Sequence, residues 1–255
     1  MSGTSTRPAR AERLRGYFDL QLRFAALIAD AAAAPFADAV GLYTNFHRRF
    51  GLGPIEADPG SVAWRGYIDG LLACRGHDDR VNWTQAFYAR APEERLPANE
   101  GPFGCFSCTP PGEGGLVRFH FANRDSTDGT GPLGRAKTGA RMCELAAMFS
   151  FIRGAYPSAT TVRGLSWLYH IEAYRRLFPP EFGASRTLPE QRLRLNGTSS
   201  WGQFLDHREA IKPALRDAFL RNLAHLDIER PWRAFPLPAL LAEAPVALFY
   251  AHYRV

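Results

Sequence analysis

The stretch that decides the fold class is "GLVRFHFANRDSTDGTGPLGRAKTGARMCELAAMFSFIRGAYPSATTVRGL", residues 115–165. It opens with strict alternation. Val117, Phe119 and Phe121 fall on one side of an extended chain and Arg118 and His120 on the other, which is the pattern of a strand with one covered face. A polar, glycine-rich connection follows, "RDSTDGTGPLGRAKTG". Residues 140–157, "ARMCELAAMFSFIRGAYP", then read as a largely buried helix stopped by Gly154 and Pro157. "SATTVRGL" is short and β-branched and predicts a second strand. Strand, helix and strand in succession call for a sheet with helices packed on it.

Toward the C-terminus, "RGLSWLYHIEAYRRLFPPEF" (163–182) carries Leu168, Ile171, Tyr174 or Arg175, and Phe178 at helical spacing. Glu172, Arg175 and Arg176 fall on the other side, and Pro179 and Pro180 are expected to end the helix. "SRTLPEQRLRLNG" predicts a strand in which Arg192 and Arg194 alternate with Leu193 and Leu195. Asp206 and Glu209 resemble a capping box for a helix running to about Leu226, with Pro213 kinking it or resetting its start. The closing "PVALFYAHYRV" is an apolar, β-rich run.

Toward the N-terminus the chain reads as helical for about its first hundred residues. Leu14, Tyr17, Phe18, Phe24, Ala25 and Ile28 recur at spacings near 3 and 4 within residues 8–33. A second helix follows Pro35 and ends at Gly51 and Gly53, a third spans 61–74 with Trp64, Ile68 and Leu71 inward, and a short one covers 81–90. Residues 91–115, "APEERLPANEGPFGCFSCTPPGEGG", are rich in proline and glycine without periodicity, which predicts a linker or long loop. The expected organisation is an α/β (α+β) chain: a helical N-terminal region over 1–95, a linker over 96–115, and a mixed β-sheet with helices packed on it over 116–255.

At 255 residues and 46% hydrophobic content the chain can bury a large core without disulfide or metal staples. Its formal net charge is +6, yet only Lys137 and Lys212 are lysines. An arginine bias with many alanines reflects a GC-rich, bacterial genome better than selection for phosphate. The acids are spread among the bases with no dense basic arm, so nucleic acid is not the expected partner. "MSGTSTRPAR" has no apolar core of a secretory signal, which predicts a cytoplasmic location. The most apolar window, residues 24–43, is broken by Asp30, Pro35 and Asp38 and reads as an ordinary helix rather than a membrane span. Cys74, Cys105, Cys108 and Cys143 are expected as reduced thiols. "CRGH" (74–77) and "CFSC" (105–108) together offer a four-ligand zinc set, against which stands a buried Cys74, an exposed His77 and a loop dithiol. No metal is expected.

Four constellations carry possible chemistry. The loop from Gly131 through Gly134, Arg135 and Lys137 precedes a helix, where free backbone N–H groups and two cations suit a phosphate or pyrophosphate. Its spacing matches neither a dinucleotide nor a Walker fingerprint, and a solvated turn is the competing reading. His120, opposite three apolar residues, is a candidate general base or a hydrogen-bonded structural residue. Ser166, with Trp167 beside it, sits at a strand-to-helix junction without the G-x-S-x-G elbow, so its hydroxyl is expected to cap the helix rather than attack a substrate. In "NGTSSWGQFLDH" (196–207), Asn196, Ser199 and Ser200 offer polar groups to a substrate and Trp201 a pocket wall, with a capped turn as the alternative.

The order of a strand with a central histidine, a "GPL" loop, a helix ending in Tyr-Pro, "SWL", and "SS" before a glutamine and phenylalanine resembles the C-terminal domain of GNAT-like acyltransferases that carry a separate helical N-terminal domain. It covers residues 115–205. The resemblance implies an acyl-CoA pyrophosphate site on Gly131 to Lys137 and a reacting centre near His120, Ser166 and Trp167. An amine or hydroxyl of a small molecule or protein would attack the thioester, with His120 accepting the proton. "GPLGRAKTG" departs from the usual Arg/Gln-x-x-Gly-x-Gly/Ala loop by placing a proline in it. The alternative to an enzyme is a non-catalytic binding protein, with Tyr169, Tyr174, Arg175 and Arg176 forming an exposed face for a protein or a single strand of nucleic acid, or else a zinc-stabilised module.

Overall fold

The computed structural model describes residues 6–53, 58, 60–92, 99–125, 129–189 and 195–255. Helices come first: α1 (Arg7–Arg13), α2 (Arg15–Ala32), α3 (Phe36–Tyr43), α4 (Phe46–Arg49), α5 (Val62–Ala73) and α6 (His77–Arg90). Each boundary has a local cause. Pro8 lies in the first turn of α1, and Ala33 in the left-handed region (φ 50) ends α2. Pro35 precedes α3, Gly51 at φ 69 follows α4, and the Ser61 hydroxyl accepts from Trp64 N–H (3.3 Å) at the start of α5.

The expected linker over 96–115 is corrected by the structure. Residues Glu100–Phe103 (β1) and Phe106–Cys108 (β2) form an antiparallel hairpin in register Glu100↔Cys108 and Phe103↔Phe106. Its turn needs Gly104, at φ 59, because a Cβ there would meet the Glu144 side chain at 2.0 Å. Proline and glycine here mark a tight hairpin, and strands this short leave too few residues for alternation to be read.

The strand β3 (Leu116–Phe121), the helix α7 (Thr138–Ala155) and the strand β4 (Thr161–Ser166) follow as the sequence predicts. Arg141, Leu145, Met148, Phe149 and Ile152 form the buried stripe of α7. The predicted single helix within 163–182 is corrected: the chain runs as strand to Ser166, then as a 3-10 turn over Trp167–His170, then as α8 (Glu172–Arg175). Pro180 does not end a helix but opens α9 (Pro180–Ala184), where its missing N–H costs nothing. Of the strand predicted within 185–197, residues 190–194, with Arg192, Leu193 and Arg194, lie outside the described residues; Thr187 makes an isolated antiparallel bridge to Leu241.

Next come α10 (Thr198–Trp201) and α11 (Pro213–Leu223), so Pro213 resets the helix start. The proposed capping pair splits: Asp206 Oδ1 accepts from Arg208 N–H (2.7 Å) and Ala210 N–H (2.9 Å), whereas Glu209 takes the left-handed region (φ 61). β5 (Leu240–Pro245) precedes α12 (Val246–Tyr253), which corrects the β reading of the C-terminal run. Pro245 closes the strand, and Val246, Phe249 and Tyr253 bury one helical face.

The chain divides into two compact units, one of residues 1–97 and 191–238, the other of 98–190 and 239–255. The expected domain over 116–255 is thereby corrected, because residues 195–238 return to the helical unit. That unit is centred on α2, where Tyr17, Phe18, Leu22, Phe24 and Ile28 are buried among Phe46, Tyr67, Trp201, Phe219 and Phe235. The second unit is a mixed five-strand sheet in the order β1-β2-β3-β4-β5. Only β3 and β4 run parallel among the described strands; the other neighbours are antiparallel. Val117, Phe119, Val162, Ala242 and Ala244 cover the inner face, packed on Leu145, Phe149, Phe178, Phe182 and Phe249. Among the described residues no helix is long and apolar enough to cross a membrane.

Candidate functional site

The parallel pair is where the second unit breaks its own pattern. The β3/β4 ladder runs Leu116↔Thr161, Val117↔Val162 and Arg118↔Arg163 and then stops. Both strands continue for three more residues, but β3 then pairs only with β2, up to Phe106↔Phe121, and β4 only with β5, up to Ser166↔Leu240. The facing edges of 119–121 and 164–166 are therefore outside any ladder. Gly164 lies in this part of β4, and a Cβ there would meet the Tyr169 hydroxyl at 1.9 Å and Phe119 Cε1 at 3.2 Å. A glycine is what lets Tyr169 close over the strand.

Tyr169 is 1% exposed and its hydroxyl has no hydrogen-bond partner. Burial, with Tyr174 and Tyr253 nearby, holds its pKa far above the ordinary phenol value, so it stays protonated as a donor without an acceptor. No motif marks this residue in the sequence. The available signal was position, four residues past a predicted strand end and five past a glycine.

Strand parity separates the expected reacting groups. Val117 pairs with Val162, so Phe119, Phe121, Gly164 and Ser166 share the inner face, whereas His120 lies with Arg118 and Arg163 on the outer one. His120 is exposed, opposite Ser107 on β2. Ser166 accepts from Leu168 N–H (3.1 Å), as its predicted capping role requires. Trp167, 9% exposed, opens the 3-10 turn. A centre that uses His120 and Ser166 together is corrected, because a sheet stands between them.

The loop ahead of α7 is fastened down by charge. Asp125 takes Lys137 Nζ (2.9 Å) on one oxygen and Arg141 Nη2 (3.0 Å) on the other, and Arg141 also donates to Glu144 (2.6 Å) and Cys105 Sγ (2.8 Å). The hydrogen bond from Lys137 leads in holding the Asp125 carboxyl below its ordinary pKa. Lys137 is thus already neutralised. Gly134 N–H turns back to Gly131 O (3.1 Å) and Lys137 N–H to Gly134 O (2.9 Å), so part of the expected amide cradle is spent within the loop. Arg135 is exposed and has no side-chain partner among the described residues. The first turn of α7 contains no acid and has no side-chain cap.

The serine-tryptophan segment belongs to the core of the helical unit. Trp201 is fully buried, its indole N–H donating to Leu195 O (2.6 Å) and Tyr43 O (3.0 Å), and Ser200 and Asn196 are buried with it. Ser199 is half-buried on α10. A substrate wall at Trp201 is corrected: the tryptophan is wedged edge-on against Phe24, Phe219 and Phe235. The zinc reading finds three of its four ligands otherwise engaged and the fourth buried. Cys74 Sγ donates to Gly70 O (3.2 Å), His77 pairs with Asp19 (2.6 Å), Cys105 accepts from Arg141, and Cys108 is buried with its thiol pushed up to about 11 by desolvation and Glu100. Among the described residues no group of three or more His, Cys, Asp or Glu is placed to hold a metal.

The exposed aromatic face expected at 169–176 is also corrected. Tyr174 is 2% exposed and packs on Phe121 and Phe178, as Tyr169 does on Phe178 and Phe182. Of the four residues expected to form that face, only Arg175 and Arg176 reach the surface, and both are half-buried. In comparisons with known proteins no family model, curated protein or solved structure matches the chain.

Proposed function

We propose that the second unit is an acyl-CoA-dependent acyltransferase acting on an amine or hydroxyl. The observation that carries this reading is the parallel pair that parts after Arg118 and Arg163, with α7 starting from the loop beyond it. Unpaired strand edges offer backbone N–H and C=O groups to an extended, amide-bearing chain such as a pantetheine arm. The uncapped α7 N-terminus and Arg135 supply positive potential for a pyrophosphate, with Lys137 acting through the loop it fastens to Asp125.

The chemistry is nucleophilic attack on the thioester carbonyl: a C–N or C–O bond forms, the C–S bond breaks and CoA leaves as the thiol. Backbone N–H groups at the parted edges, with the protonated Tyr169 hydroxyl, are the donors for the developing negative charge. His120 would take the acceptor's proton only from the outer face of the sheet, and Ser166 serves the backbone. Isothermal titration with CoA and acetyl-CoA tests the reading. Saturable binding that weakens at least about tenfold in Arg135→Ala plus Lys137→Ala supports it. No heat with either ligand, from a sample whose circular dichroism shows it folded, refutes it.

A further inference from the structure

The segment after β4 makes a tight hook. The 3-10 turn and α8 lead through Arg176, Phe178 and Pro179 into α9, and the chain then returns through Arg186. An open recess of about 480 Å³ lies along this hook, lined by Arg175, Arg176 and Arg186, by His252 of α12, by Phe178, and by Glu172 at one edge. Its arginines are held in place. Arg176 Nη2 donates to Leu133 O (3.2 Å), Arg186 Nη1 to Tyr169 O (2.9 Å) and Arg175 Nη2 to Glu172 (2.7 Å). Each guanidinium thereby uses one terminal nitrogen on the protein, and among the described residues the other has no protein partner. The Nε of all three, and His252 Nε2, are shielded from water and also unpaired.

Buried donors are almost always satisfied, so four orphaned nitrogens around one recess are a departure that calls for an acceptor. Three guanidinium groups against one carboxylate, itself 73% exposed and paired with Arg175, leave an excess of two positive charges. That matches a dianion. Guanidinium forks fit the tetrahedral oxygens of phosphate. We propose that this recess binds a small phosphate monoester, with Arg175, Arg176, Arg186 and His252 donating to the phosphate and the exposed Pro180 and Ala184 beside the rest of the molecule.

The inference stands apart from the acyl-transfer reading, whose anion site is the N-terminus of α7. The test is titration of the full chain with inorganic phosphate, followed by calorimetry and by the NMR signals of the arginine Nε–H groups. Saturable binding is expected, with acetate binding at least about tenfold more weakly and Arg175→Gln weakening phosphate by about tenfold. Among the described residues Arg175 makes its one side-chain hydrogen bond to the exposed Glu172, so this variant should fold; Arg186→Lys, which keeps charge but loses the fork, gives the second reading and is expected to weaken phosphate too. Phosphate binding unchanged in both variants, or lost in Arg135→Gln instead, overturns the proposal, as does acetate binding as tightly as phosphate.

Discussion

The contact between Gly164 and Tyr169 can be tested as a double-mutant cycle. A methyl group added at Gly164 would lie 1.9 Å from the Tyr169 hydroxyl oxygen and 3.0 Å from Cζ. The ring cannot swing away freely, because it packs on Tyr174, Phe178 and Phe182 at centroid distances of 5.4, 6.4 and 5.8 Å. Gly164→Ala is therefore expected to cost about 3 kcal/mol, the upper end of ordinary overpacking. Tyr169→Phe alone removes a buried hydroxyl with no partner and is expected to stabilise by about 1 kcal/mol. Combined, the two should couple by about 1–2 kcal/mol, leaving a residual cost because Cζ still sits at 3.0 Å. The assay must report the second unit alone, since two units need not unfold together. Trp167 is the one tryptophan of the five in the chain that lies in residues 98–190 and 239–255, so urea unfolding followed through 19F-labelled tryptophan isolates it. Tyr169→Phe destabilising by more than about 1 kcal/mol would mean that the hydroxyl is satisfied, and would refute the reasoning. Additive single variants would show that the two groups do not meet.

Two further outcomes concern the helical unit. Trp201→Ala is expected to destabilise it by about 3–5 kcal/mol in chemical denaturation, because the ring is fully buried in the helical core. At Glu209, burial raises the carboxyl pKa, but the hydrogen bond from Arg10 and the charges of Arg49 and Arg10 outweigh it and leave the pKa below the ordinary value. A depressed pKa gives stability that is present above the unfolded-state pKa and lost as pH falls through the folded one. Glu209→Gln should thus cost up to about 1 kcal/mol near neutral pH, discounted because the carboxylate is 26% exposed, and cost nothing once the pH is below the folded-state value. Parallel stability curves for the two proteins across that acid range would contradict the assignment.

What could be read in the sequence was what long periodic segments encode. The alternation of Val117, Phe119 and Phe121 predicts β3 and its covered face, and the spacing of 145, 148, 149 and 152 matches the stripe of α7. Elements too short to show a period were missed: β1 and β2 span four and three residues, and their signal was a Gly-Pro pair that also suits a loop. The C-terminal run misled because Val246, Leu248 and Tyr250 alternate while Val246, Phe249 and Tyr253 also repeat at helical spacing, and packing against α7 decided for helix. The return of 195–238 to the first unit is a long-range choice of partner for Trp201, Phe204 and Phe219, and no local pattern specifies it.

The departures from ordinary protein chemistry in the second unit converge on residues 164–186. A glycine sits inside a strand, a tyrosine hydroxyl is buried without a partner, and three arginines keep shielded, unpaired Nε groups. Sequences that fold well avoid such conflicts, and where they persist they tend to mark function. Stability alone would favour phenylalanine at 169 and a shorter polar residue at 175 or 186. The tie from Arg186 to Tyr169 O joins the two sets, so an anion drawn onto Arg186 would pull on the backbone that positions the tyrosine. If both proposals hold, phosphate bound in the recess should change acetyl-CoA affinity, and by linkage acetyl-CoA should change phosphate affinity by the same factor. Equal affinities with and without the second ligand would leave two independent sites on one scaffold.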